Sequence, residues 1–237
     1  MATSAARRTL HGIAECLLAG PEYRACKEIS LRVTPGGFAT TGAPAIRLDG
    51  AELVESELHR IPARGTFGQL ADALGVRFGR PEIGYRDGSG VAEDDTVELD
   101  PASLKIITDW FLLADAALRV LATDQAPILW PEHFDVAVLL DDRSYGASPG
   151  DDLHATPYAY VSAADNDGGE FWNAPFGALL DYSEVRNLDD LVSFWQTGRR
   201  LLGDWLERTR RQESEITRSE VTAALDEQRG PWPEAGR

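Results

Sequence analysis

Near the start of the chain the apolar positions Leu10, Ile13, Leu17 and Leu18 fall at helical spacing. This predicts an amphipathic first helix with Gly20-Pro21 as its stop signal. The period then changes. Residues 28–34 alternate Ile29, Leu31 and Val33 against polar neighbours, as a half-buried strand does, and Pro35-Gly36-Gly37 turns the chain. Asp49-Gly50 sits between apolar alternations in residues 45–55, a hairpin signal because glycine tolerates the positive φ of two-residue turns. The N-terminal part therefore reads as a small antiparallel sheet.

Thr66 followed by Gln69 is a capping box for a short helix through Phe67, Leu70 and Leu74. Residues 77–99 hold no sustained period and read as a long loop with at most one short strand. Asp100-Pro101 opens a helix that is apolar on almost every side from Leu104 to Leu121, so it is expected inside the domain. Lys105, Asp109, Asp115 and Arg119 within it exclude a membrane span.

Beyond it the pattern predicts a three-stranded meander over 134–141, 154–163 and 170–180. Its links are the loop DDRSYGASPGDD and a turn at Asp167-Gly168. Asn187 with Asp190 caps a long amphipathic helix carrying Leu188, Leu191, Val192, Trp195, Leu202, Trp205 and Leu206. Thr217 with Glu220 marks a separate final helix ending at Gly230, and 231–237 reads as a frayed tail. The fold class is α+β, an antiparallel sheet packed with a buried central helix and a long C-terminal amphipathic helix. One domain over 1–237 is expected; the alternative division is a hairpin-and-helix half at 1–99 and a helix–meander–helix half at 100–230.

Pairing the meander strands directly sets Asp141 opposite His154, Asp135 opposite Tyr160 and His133 opposite Ser162, and on the far side Tyr160 opposite Pro175 and Ser162 opposite Asn173. Period-two alternation then gives one face made of His133, Asp135, Ala137, Tyr158, Tyr160, Ser162, Asn173 and Gly177. The other face, with Phe134, Val136, Val138, Leu140, Ala159, Val161, Trp172, Ala174 and Phe176, is core. The first face mixes convergent polar groups with two tyrosines, and Ala137 and Gly177 are small enough to leave room for a small molecule. His133 is the candidate acid/base, Asp135 its orienter, and Tyr158, Tyr160, Ser162 and Asn173 are candidate ligand-positioning groups. The competing reading leaves this face solvated or covered by the helix at 188–206, with its polar groups purely structural.

In the same pairing His133 and His154 lie roughly 26 Å apart at ~3.3 Å per residue, too far to share an ion. Closing the loop instead gathers Asp141, Asp142, Asp151 and Asp152 beside His154, a candidate divalent-cation site. The competing reading is a solvated acidic loop.

Charge sharpens the picture. The formal net charge is -16, with 39 acidic against 23 basic residues. Residues 128–190 alone hold 13 acids and 2 bases, along with His133 and His154. No nucleic acid and no anionic membrane surface is expected as partner, since both need a basic footprint. A small molecule or another protein remains, the latter docking on the acidic loop in a non-catalytic module. Arg208, Arg210 and Arg211 would suit the acidic loop of a second copy, which makes a homodimer a candidate. Cys16 and Cys26 form neither a metal motif nor a disulfide framework, which favours a reducing, cytoplasmic setting. Arg7-Arg8 ahead of an apolar stretch imitates a twin-arginine signal, but His11 and Glu15 interrupt it.

The runs WPEHFDVAVLLDD, YGASPGDDLHATPYAYV and FWNAPFGALLDY resemble an uncharacterised soluble protein family of GC-rich bacteria. The resemblance covers about 129–182 and implies nothing about substrate or mechanism. No phosphate-binding, dinucleotide, nucleophile-elbow or zinc-protease motif occurs in the sequence.

Overall fold

A computed structural model describes residues 4–56, 58–84, 88–166 and 168–228, with side chains as far as 208. The tail at 231–237 and Asp167 of the expected turn lie outside the described residues, as do the side chains of Arg210, Arg211, Thr217 and Glu220.

The fold is α+β, built on a ten-stranded sheet in which every paired neighbour is antiparallel. β1 (Leu31–Thr34), β2 (Gly37–Thr40), β3 (Arg47–Asp49), β4 (Glu52–Ser56) and β5 (His59–Pro62) form one meander. A second meander comprises β8 (Ile128–Trp130), β9 (Asp135–Leu140), β10 (Arg143–Ser148), β11 (Tyr158–Ser162) and β12 (Gly177–Asp181). The order β12-β11-β10-β9-β8-β1-β2-β3-β4-β5 is palindromic, with the first strands of the two meanders side by side. They are paired at Leu31↔Leu129. A small separate ladder joins β6 (Gly65–Thr66) to β7 (Thr96–Val97).

Each meander follows a helix. The first is longer than its stop signal predicts: α1 (Ser4–Gly12) runs through a π-helical segment, Ile13–Ala19, into α2 (Gly20–Cys26). Pro21 has no N–H to donate and sits in the first turn of α2, the position where that loss costs least. The Gly20 N–H reaches back to the Glu15 carbonyl in the wider π register. Gly20 is there for a close approach, since a Cβ would strike the Gly79 carbonyl. α3 (Phe67–Ala73) starts at the Thr66/Gln69 capping box, and α4 (Pro101–Leu121) at Asp100, whose carboxylate accepts from the Ser103 N–H at 2.8 Å.

α4 lies across β9 and β10, burying Ile107, Trp110, Phe111 and Leu118 against Val136, Val138, Tyr145 and Ala147. α5 (Leu188–Gln228) packs on α4 and β11 and buries Leu191, Trp195 and Leu202. It is one continuous helix, which corrects the expected separate final helix. A cap motif can start a helix only where the chain is not already helical, and no glycine or proline interrupts residues 204–228. Gly198 of α5 lies against Val161, so this helix covers the core face of the second meander and leaves the Asp135 face to other elements.

The expected three-stranded meander is corrected most. Its first link contains a strand: Arg143↔Leu140 closes a two-residue turn at Asp141-Asp142, both at positive φ, and β10 runs back between β9 and β11. β9 and β11 therefore point the same way. On the outer side Ser162 opposes Gly177 and Tyr160 opposes Leu179 rather than Pro175, because only the end of the expected third strand, from Gly177, joins the sheet.

Candidate functional site

The parity of the face survives those changes. Asp135, Ala137, Gly146, Ser148, Tyr158, Tyr160 and Ser162 share one side of β9–β11, because each added antiparallel strand preserves alternation. At the end of the sheet where β9 and β11 begin and β10 finishes, this side opens into a cavity of about 860 Å³. The sheet supplies Asp135, Tyr158, Tyr160 and Ser162. His133 precedes β9, the Pro149–Leu153 loop follows β10, and α1 contributes Arg7, Arg8 and His11. Phe176 closes over the tyrosines, 6.1 Å from the Tyr158 ring and stacked, and 6.3 Å from Tyr160 edge-on. It was expected in the core; β12 begins only at Gly177, so Phe176 lies outside the strand alternation.

Asp135 forms the floor. It is 7% exposed, its Oδ2 accepts the Tyr160 hydroxyl, and its Oδ1 is buried without a hydrogen-bond partner. Burial pushes its carboxyl above the ordinary range, against the opposing pull of the Tyr160 hydrogen bond and the His133 charge. Burial and the neighbouring carboxylate likewise raise the Tyr160 phenol. The ring of Tyr160 reaches Asp135 by lying over Gly146, where a Cβ would stand 2.6 Å from its Cζ and its hydroxyl oxygen. Space on this face therefore serves the tyrosine, and neither Ala137 nor Gly177 lines the cavity.

The walls are similarly built. Tyr158 donates to Asp151 Oδ2, while Asp151 Oδ1 accepts the Leu153 and His154 backbone N–H groups at 2.8 Å each. Burial and this carboxylate keep the Tyr158 phenol protonated. On the helix side Glu15, 2% exposed in the π-helical segment, fixes the cavity-lining loop at Ser89 by accepting its N–H at 2.9 Å and its hydroxyl at 2.6 Å. His11 stacks on Phe134, and its Nε2 lies 2.7 Å from the Pro131 carbonyl, so that nitrogen is the donor. Burial lowers its pKa and favours the neutral ring.

Several expected roles are corrected. His133 is not oriented by a hydrogen bond to Asp135; its Nε2 lies 3.1 Å from Glu132 Oε1, and it acts on Asp135 through charge. Asn173 is away from the cavity. Its amide donates to the Leu179 carbonyl at 2.9 Å and accepts the Leu179 N–H at 2.8 Å, standing in for a strand along β12. The expected cation site is dispersed because β10 replaces the loop: Asp141 and Asp142 cap one end of the hairpin, while Asp151 and Asp152 lie beyond the other, about 20 Å along the six-residue strand. Asp141 pairs with Arg199 at 3.0 Å. His154 Nε2 lies 2.6 Å from Asp181 Oδ2, and Thr156 bonds both. Among the described residues no group of three or more such side chains could hold a metal ion. The separation of roughly 26 Å between His133 and His154 also falls, since both precede strands that begin at the same end of the sheet.

Sequence reasoning missed Arg7, Arg8, His11, Ser148 and Ser89 as cavity residues. The acid Glu15 within the otherwise apolar run Ile13–Ala19 was an available signal for the helix side. No family model, curated protein or solved structure matches this chain. Among the described residues no helix is long and apolar enough to cross a membrane.

Proposed function

We propose that the protein binds a small molecule in the cavity over Asp135. The observation that carries this reading is the orphaned Oδ1. A buried carboxylate oxygen without a partner costs free energy, on the order of 1–3 kcal/mol even for neutral groups; Oδ1 is itself buried, but it belongs to a residue that lines the cavity, so a turn of the carboxylate brings it to a donor on a ligand. A cleft with aromatic walls, a few converging polar groups and a carboxyl pushed up by burial has the physical character of a ligand or proton-transfer site. If the bound molecule reacts, Asp135 is the group placed to exchange a proton with it, and Tyr160 holds that carboxyl in position. This moves the acid/base role from His133 to Asp135.

The test is a fragment screen read by amide chemical shifts. Perturbations clustered at 133–135, 148–153 and 158–162, and lost when Ser162→Trp fills the cavity, are the expected result. Shifts scattered over the surface, or unaltered in Ser162→Trp, overturn the reading.

A further inference from the structure

The chemistry of the lining narrows the ligand class, on the premise that the cavity is a binding site. Among its described residues Glu132, Asp135, Asp151 and Asp152 face only Arg7 and Arg8 as full cations. Arg8 is committed to Asp95 at 2.8 Å and to the Gly90 carbonyl, and Arg7 faces Asp152 at 4.0 Å. The remaining bases do not reverse the balance: His11 is half-buried and donates to a carbonyl, and His133 lies beside Glu132. Three aromatic rings, Tyr158, Tyr160 and Phe176, cluster with centroids 6.1–6.3 Å apart, and Tyr160 joins the cluster to Asp135 by its hydroxyl on Oδ2.

An electron-rich aromatic wall beside an unsatisfied buried carboxylate is complementary to a compact organic cation. The rings attract positive charge through their faces, and the carboxylate gains the countercharge a buried ion requires. A divalent metal ion is a poorer match, because hard cations take six or more oxygen ligands and no such cluster surrounds Asp135 among the described residues. A carboxylate ligand would meet the acidic lining. We infer that the cavity takes a protonated primary amine whose ammonium group pairs with Asp135 against the Tyr158–Tyr160–Phe176 wall.

Binding then balances as an exchange. The ammonium donates to Asp135 Oδ1, and any proton held on that carboxyl is released to solvent. The soft χ2 torsion of aspartate lets the oxygen turn the short way into the cavity.

The experiment is calorimetric titration of the full chain with phenethylamine, 2-phenylethanol and phenylacetate at pH 7.5, repeated with Asp135→Asn and Phe176→Ala. Phenethylamine is expected to bind at least about tenfold more tightly than either analogue, a difference of about 1.4 kcal/mol. Asp135→Asn should lose at least that factor with its circular dichroism unchanged, and Phe176→Ala should weaken the amine further than the alcohol. For wild type, affinity for the amine should rise between pH 5 and 8, with proton release visible as a buffer-dependent heat. Equal or tighter binding of the alcohol or of phenylacetate, sensitive to the same variants, overturns the amine assignment and leaves the pocket reading standing. No binding by any of the three probes, together with a fragment screen that finds nothing at this cavity, overturns both.

Discussion

Tyr160 donates its hydroxyl to Asp135 from two strands away, and its ring crosses Gly146 of the intervening strand to do so. The contact exists only because position 146 has no side chain. Gly146→Ala should therefore push the ring off its path, costing about 1–3 kcal/mol as overpacking does, and should release Asp135 from its partner. Urea unfolding measures the first effect; loss of ligand response at the 133–135 amides measures the second. A variant as stable as wild type would show that the ring adapts.

Asp135 also makes a pH prediction. Its carboxyl is raised by burial, so between the unfolded value, near ~3.9, and the higher folded value the native protein holds more protons than the unfolded chain. Its contribution to stability is complete below the unfolded value and is lost as pH rises through the folded one. Asp135→Asn, which cannot ionise, should gain stability relative to wild type on going from pH 4 to pH 8. A wild-type-minus-variant difference that stays flat with pH would contradict this assignment.

Asp181 behaves in the opposite sense. Burial raises its pKa, but the donors Ser183, Thr156 and His154 outweigh that and hold the carboxyl well below the ordinary range. Its stabilisation is present above the unfolded value and disappears as pH falls toward the folded one. Asp181→Ala should cost about 1–2 kcal/mol at pH 7, and the deficit should shrink in acid. Urea titrations at pH 7 and pH 3 check both limbs.

Asn173→Ala should destabilise by about 1–2 kcal/mol through two lost amide bonds to the Leu179 backbone, and should leave binding in the cavity unchanged. A loss of ligand affinity without a loss of stability would restore the residue to the site.

The turn at Asp141-Asp142 gives the last test. Both residues sit at positive φ, 51° and 59°, where asparagine and glycine are favoured. The double change Asp141→Asn with Asp142→Gly should raise stability by up to about 1 kcal/mol, with the Arg199 pair contributing little because it is solvent-exposed. A lower melting temperature would count against the two-residue turn.

That turn also explains where the sequence misled. Without glycine it carries no hairpin signal, and the weakly apolar RSYGAS of β10 does not read as a strand, so the pattern alone predicts a twelve-residue loop whose closure gathers the carboxylates at its ends. The shared side of Asp135, Ala137, Tyr158, Tyr160 and Ser162 was nevertheless legible, since alternation depends only on whether positions are odd or even, and the added strand shifted register without changing parity. The capping box at Thr66, the carboxylate cap at Asp100 and the Asn187 start were legible for the same local reason: each is a bond between residues three apart. What connects Glu15 to Ser89, or α1 to the cavity, spans long stretches of chain and leaves no local trace.

The palindromic sheet has a mechanical consequence. Within each meander neighbouring strands share several rungs and are joined by links of two to fourteen residues, so either half can form from contacts close in sequence. Across the middle, the chain must bring Leu31 and Leu129 together with nearly a hundred residues between them, and α4 spans the join by packing on β1 as well as on β9 and β10. The join is thus the last part to assemble and the weakest line under tension: a pull applied between the outer edges of the sheet should part it between β1 and β8 before it unravels either meander.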